Sequence, residues 1–132
     1  MAIKYYPARD IQERVEYIAR KLEFRHIDPN RVICVRSTGS TARGVIARCH
    51  ALGKIWQMAL DTRAHYLVEV ITERYEKLPQ EEKDKILIHE LMHIPHSFGG
   101  GFRNHKPYVT NRKVEQMYKK FVKAEKGSWS WF

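Results

Sequence analysis

His89-Glu90-Leu91-Met92-His93 sets two imidazoles four residues apart, with a carboxylate one residue after the first. On a helix, residues at i and i+4 share a face one turn apart, so both rings reach toward one ion. Glu90 lies about 100° round the helix from His89. From there its carboxylate reaches a water at that ion without being a ligand. A divalent ion with neutral nitrogen ligands and an open position brings the pKa of such a water down to about 7. Glu90 can take that proton and pass it to a leaving amine. The H-E-x-x-H spacing therefore reads as metal-assisted hydrolysis, with zinc as the expected ion.

Zinc in such a site needs a third protein ligand. His96 lies seven residues past His89, about 10 Å along an unbroken helix. That is too long for three rings to converge, and Pro95 breaks the helix first. Glu115 is a downstream glutamate on a further predicted helix, beside its buried stripe. His105 comes twelve residues after His93, just past Gly99-Gly100-Gly101. A glycine turn lets the chain double back and present a ligand from another direction. His105 is the preferred third ligand, with Glu115 and His96 as alternatives. Asp84 and Glu69 are candidates to accept the other ring N–H of a ligating histidine. His96, Arg103 and Tyr108 are candidates to stabilise an oxyanion.

These residues need a frame. Ile11, Val15, Ile18 and Leu22 form one apolar stripe and predict a helix over about 7–24. Arg31 to Arg36 reads as a short buried strand through Val32-Ile33-Cys34-Val35, and 37–44 as a loop. Residues 45–52 fit either a strand or a short helix. Ile55 to Leu60 reads as a strand, and Tyr66 to Thr72 as the clearest one. Pro79 opens the next helix, with Glu81 and Glu82 in its first turn. Ile86, Leu87, Leu91 and Ile94 give that helix an apolar side, and Pro95 ends it. A last helix spans about 110–124, burying Val114, Met117, Tyr118, Phe121 and Val122. The expected class is α+β: one domain over 1–132, with an N-terminal helix, a small, mostly antiparallel sheet of about three strands, the H-E-x-x-H helix and a C-terminal helix.

The chain has 132 residues, 43% hydrophobic and 30% charged, which suits one globular domain rather than disorder. The longest aliphatic runs are short and the N-terminus has no apolar stretch, so neither a membrane span nor a secretory signal is expected. Cys34 and Cys49 sit in apolar surroundings and read as two buried thiols of a cytoplasmic protein. Gly39 to Gly44 has phosphate-loop spacing, but Val45 and Ile46 stand where Lys and Ser or Thr belong. The net charge is +9. Residues 103–132 hold eight Lys or Arg against Glu115 and Glu125. This basic third could face nucleic acid or only solvent. The aromatic end, Ser128-Trp129-Ser130-Trp131-Phe132, reads as docking on its own core, with a partner surface or a plug over the cleft as alternatives.

The run Ile-His-Glu-Leu-Met-His-Ile-Pro, preceded by Glu-Arg-Tyr-Glu-Lys-Leu-Pro-Gln-Glu-Glu-Lys and followed by Phe-Gly-Gly-Gly and Asn-His-Lys, resembles small metallopeptidases of archaea and phages. These are similar to zincin proteases of the SprT-like kind. The resemblance covers roughly residues 50–120. It implies a minimal zincin with zinc on His89, His93 and a downstream histidine, matched here by His105, and Glu90 as general base and acid. It departs from the metzincins, because His96 and Gly99 stand three and six residues past His93 where those have Gly and His. The expected activity is zinc-dependent hydrolysis of a peptide or protein substrate. The alternative is a non-enzymatic, zinc-stabilised module that binds nucleic acid through its basic C-terminal third.

Overall fold

The structure, a computed structural model, describes residues 2–127. Its class is the expected α+β, but the sheet has four strands in the order β1-β2-β4-β3. Strand β1 is Lys4–Pro7, β2 is Val32–Thr38, β3 is Ala47–Ala51 and β4 is Tyr66–Ile71. β1 runs antiparallel to β2, and β3 antiparallel to β4, but the central pair β2 and β4 is parallel. The expectation of about three mostly antiparallel strands is therefore corrected to a mixed, four-stranded sheet.

Two elements differ from their sequence reading. The N-terminal helix, α1, spans Arg9–Lys21, and Pro7 closes a strand instead of opening the helix. Every residue of β1 is exposed, so no burial pattern marks it. Tyr5 and Tyr6 suit a strand, and Pro7 is tolerated on an edge strand, where a missing N–H costs little. Ile55 to Leu60 is not a strand: α2 is a helix over Lys54–Ala59. Gln57 N donates to Gly53 O at 3.0 Å and Leu60 N to Trp56 O at 2.9 Å, closing helical turns. The ambiguous stretch 45–52 holds β3, and β2 runs on to Thr38, into the expected loop.

After β4 come a short turn, α3 at Thr72–Tyr75, and then α4 at Gln80–Met92, with Pro79 at its N-cap. A turn at His105–Tyr108, α5, leads into α6 at Asn111–Gly127.

Strand pairing decides what each sheet face meets. Cys34, Val68 and Cys49 stand in one row across three strands, on the face toward the helices. That face contributes Val32, Cys34, Val68 and Val70 to the core. Ile11, Val15 and Ile18 of α1, Leu87, Ile88 and Leu91 of α4, and Val114 and Phe121 of α6 meet them there. The next row, Val35, Glu69 and Arg48, points the other way. Arg14 of α1 makes a bidentate pair with Asp84 of α4, at 2.9 and 2.8 Å, and Gln80 Nε2 donates to the same carboxylate. This ties α1 to α4 beneath the sheet. β3 is an edge strand and flanks the C-terminal half of α4, so a cleft opens between them.

Candidate metal centre

α4 carries His89 and Glu90 in its last turn and ends at Met92, so His93 is its C-cap residue with αR backbone. One turn of helix separates the two rings. Their Nε2 atoms are 3.3 Å apart. Beyond His93 the chain reverses sharply. Phe98 adopts a left-handed backbone at φ +49°, and Gly100 one at φ +103°. A Cβ on Gly100 would lie 2.7 Å from the Leu52 carbonyl oxygen, so the loop requires glycine there. The Tyr66 hydroxyl accepts from Gly100 N and donates to Gly101 O. Thus the first residue of β4 grips the loop.

That reversal brings His105 to the two helix histidines. The ring centroids of His93 and His105 are 4.7 Å apart, and those of His89 and His105 are 5.3 Å apart. One nitrogen from each of His89, His93 and His105 lies within 4.8 Å of the others. Arg103 meets His93 twice: its N donates to His93 O at 2.8 Å, and its carbonyl oxygen lies 2.7 Å from His93 Nδ1. That bond places the proton on Nδ1 and leaves Nε2 as a bare donor facing His89.

The donor set suits a divalent ion. Nitrogens about 2.0–2.1 Å from a tetrahedral ion lie about 3.3 Å from one another, which is the His89–His93 spacing seen here. Ligating imidazoles must be neutral. Burial, then repulsion from His93 and His105, pushes His89 down to about 4, and burial likewise lowers His93.

Glu90 is only 7% exposed and lines the same cleft as the three histidines. Among the described residues its carboxylate has no hydrogen-bond or ionic partner, and burial alone pushes its pKa up to about 7. The cleft holds about 580 Å³ and is walled by Ala47 to His50 of β3, by α4, and by Phe102 to His105.

The other residues singled out from the sequence go elsewhere. His96 stacks on His26, with centroids 4.3 Å apart. Glu115 pairs with Lys85 at 2.8 Å. Asp84 is held by Arg14 and Gln80, and Glu69 by Ser37 and His50. Neither acid orients a histidine of the cluster. That part falls to the Arg103 carbonyl, which no side-chain signal announces. Arg103 and Tyr108 stack on each other at 4.7 Å, and Arg103 lines the cleft while Tyr108 does not. Cys34 is buried and Cys49 half-buried; both are free thiols, pushed up to about 12 by burial. The aromatic segment Ser128 to Phe132 lies outside the described residues.

No helix among the described residues is long and apolar enough to cross a membrane. No curated protein and no solved structure matches the chain. One family model, described as "Putative phage metallopeptidase", matches residues 3–126. The match takes in the sheet, the glycine loop and all three clustered histidines, and the chain belongs to this phage metallopeptidase family.

Proposed function

We propose that the protein is a zinc-dependent peptidase, a minimal zincin of the SprT-like kind, with His89, His93 and His105 as zinc ligands and Glu90 as general base and acid. One observation carries this reading. Three imidazole nitrogens converge within 4.8 Å beside a buried, unpartnered carboxylate that opens on the same cleft. Three neutral nitrogens leave a tetrahedral ion one open position, the arrangement of catalytic rather than structural zinc.

Zinc bound there would supply a Lewis acid that makes water a nucleophile near neutral pH and polarises the scissile carbonyl. The chain's own residues do the rest. The Arg103 carbonyl fixes the His93 ring and its tautomer, so that Nε2 points at the site. Glu90, with no competing partner, takes the proton of the attacking water and returns it to the departing amine. Its environment suits both halves of that exchange, because a pKa about 7 lets it hold or release a proton at neutral pH. Among the described residues no strand pairs with the outer edge of β3, and an extended substrate pairs there. Arg103 reaches the cleft as the residue suited to a developing oxyanion.

Glu90→Gln tests this assignment. The amide keeps the shape but cannot accept the proton. Hydrolysis of an unfolded protein substrate should fall by about 10²–10⁴-fold while zinc content is unchanged. Equal cleavage by the variant would remove Glu90 from the mechanism.

A further inference from the structure

Helix α2 is unusual among the elements of this fold. Ile55 and Met58 are each 74% exposed, Trp56 59% and Leu60 58%. At 100° per residue Ile55 and Met58 share one side of the helix and Trp56 and Leu60 another, so α2 presents apolar groups to solvent on two sides, as an apolar knob. Only Gln57 turns inward. Its Nε2 donates to the Leu52 carbonyl at 2.8 Å and to the Gly99 carbonyl at 3.1 Å. A cluster of large exposed apolar groups marks a contact surface.

The knob is continuous with the cleft on two sides. β3, the wall of the cleft, passes through Leu52 and Gly53 directly into α2. The glycine loop, pinned by Gln57, leads directly to Phe102, which is 49% exposed, lines the cleft and packs edge-on to His93 at 6.3 Å. The glycine loop therefore ties Phe102, beside His93, to α2 through Gln57. From Cys49, which lines the cleft with Glu90, to Gly53 is about 13 Å of extended chain. A substrate strand antiparallel to β3 enters from the α2 end. Its residues about four positions before the scissile bond then lie on the knob.

We propose that α2, with Phe102, is a docking rim for apolar side chains on the N-terminal side of the scissile bond. The substrate class is then extended or unfolded polypeptide that exposes hydrophobic residues about four positions upstream of the cut. The proposal rests on the peptidase reading for its cleavage position, but not for binding. Because the knob is exposed, its side chains can be replaced without opening the core.

The probe is a set of short synthetic peptides in which a Leu-Phe pair is moved stepwise through a Gly-Ser-Ala background. Affinity is measured by fluorescence anisotropy on the zinc-loaded Glu90→Gln chain, with and without Trp56→Ser plus Met58→Ser. Cleavage sites are mapped with the wild-type chain by mass spectrometry. The expected results are a tenfold or greater loss of affinity for pair-bearing peptides in the knob variant, and cuts that follow the pair about four residues downstream. Pair-dependent binding lost in the variant, with no cleavage by the wild type, upholds the rim and defeats the peptidase reading. Cleavage with unchanged affinity in the variant, or with cuts indifferent to the pair, defeats the rim alone. A wild-type dimer that the knob variant reduces to monomer in sedimentation also overturns it, since α2 would then face a second copy.

Discussion

Glu90 and His89 are neighbours whose environments push them in opposite directions. Glu90 has a folded pKa raised from 4.5 to about 7, so its stabilising contribution is present below pH 4.5 and is lost as pH rises through 7. His89 has a folded pKa lowered from 6.5 to about 4, so its contribution is lost as pH falls over that window. In the metal-free chain the two slopes oppose each other. Glu90→Gln removes one of them. The metal-free variant should therefore gain on the wild type as pH rises from 4 to 8, by up to about 3 kcal/mol. Urea unfolding at both pH values reads this directly, and a constant difference would mean that Glu90 is not buried as an acid. A bound cation favours the ionised carboxylate, so zinc should shrink that gain.

At the scale of elements, the glycine loop matters as much as the helix that bears His89 and His93. Gly100→Ala forces a side chain against the Leu52 carbonyl at a left-handed φ. It should cost about 1–3 kcal/mol and weaken zinc binding, because the loop carries both Arg103 and His105. Zinc competition against a fluorescent chelator measures this, and an unchanged affinity would uncouple the loop from the site. Arg14→Ala leaves Asp84 buried beside Gln80 alone. Stability should fall by about 3–5 kcal/mol in chemical denaturation, with zinc affinity little changed. Legibility in the sequence varied element by element for physical reasons. The apolar stripe of α1 was plain because burial there is one-sided, and the start of α4 because Pro79, Glu81 and Glu82 mark a helix N-terminus. β1 was hidden because all its side chains are exposed. α2 was misread because its apolar residues face solvent, so hydrophobicity carried no information about period. His89, Glu90 and His93 declared themselves by local helical spacing, and the triple glycine pointed to His105. The Arg103 carbonyl carries no residue signature, and the pairings that remove Asp84, Glu69 and Glu115 from the cluster are made across distant segments.

For the whole molecule, the proposed metal site would link metal binding to folding. The three proposed ligands come from a helix turn and from a segment that returns only after a sharp reversal, so an unfolded chain offers no such cluster. Zinc that binds only the folded form adds about 2.7 kcal/mol at a free concentration a hundred times Kd. Chelation should accordingly lower the thermal midpoint, and an unchanged midpoint would separate metal from fold. The parallel pairing of β2 with β4 was not legible, since β3 and α2 intervene between them in the chain and only the assembled sheet sets their order. On the proposed reading, His89, His93 and His105 hold one zinc ion. Elemental analysis of chain purified without chelator or nickel resin tests it most directly, beside the variants His93→Ala and His105→Ala. About one zinc per wild-type chain is expected, with a marked loss in each variant. A wild-type chain that retains no zinc after zinc is offered and the excess removed, or variants that keep as much as the wild type, would contradict it.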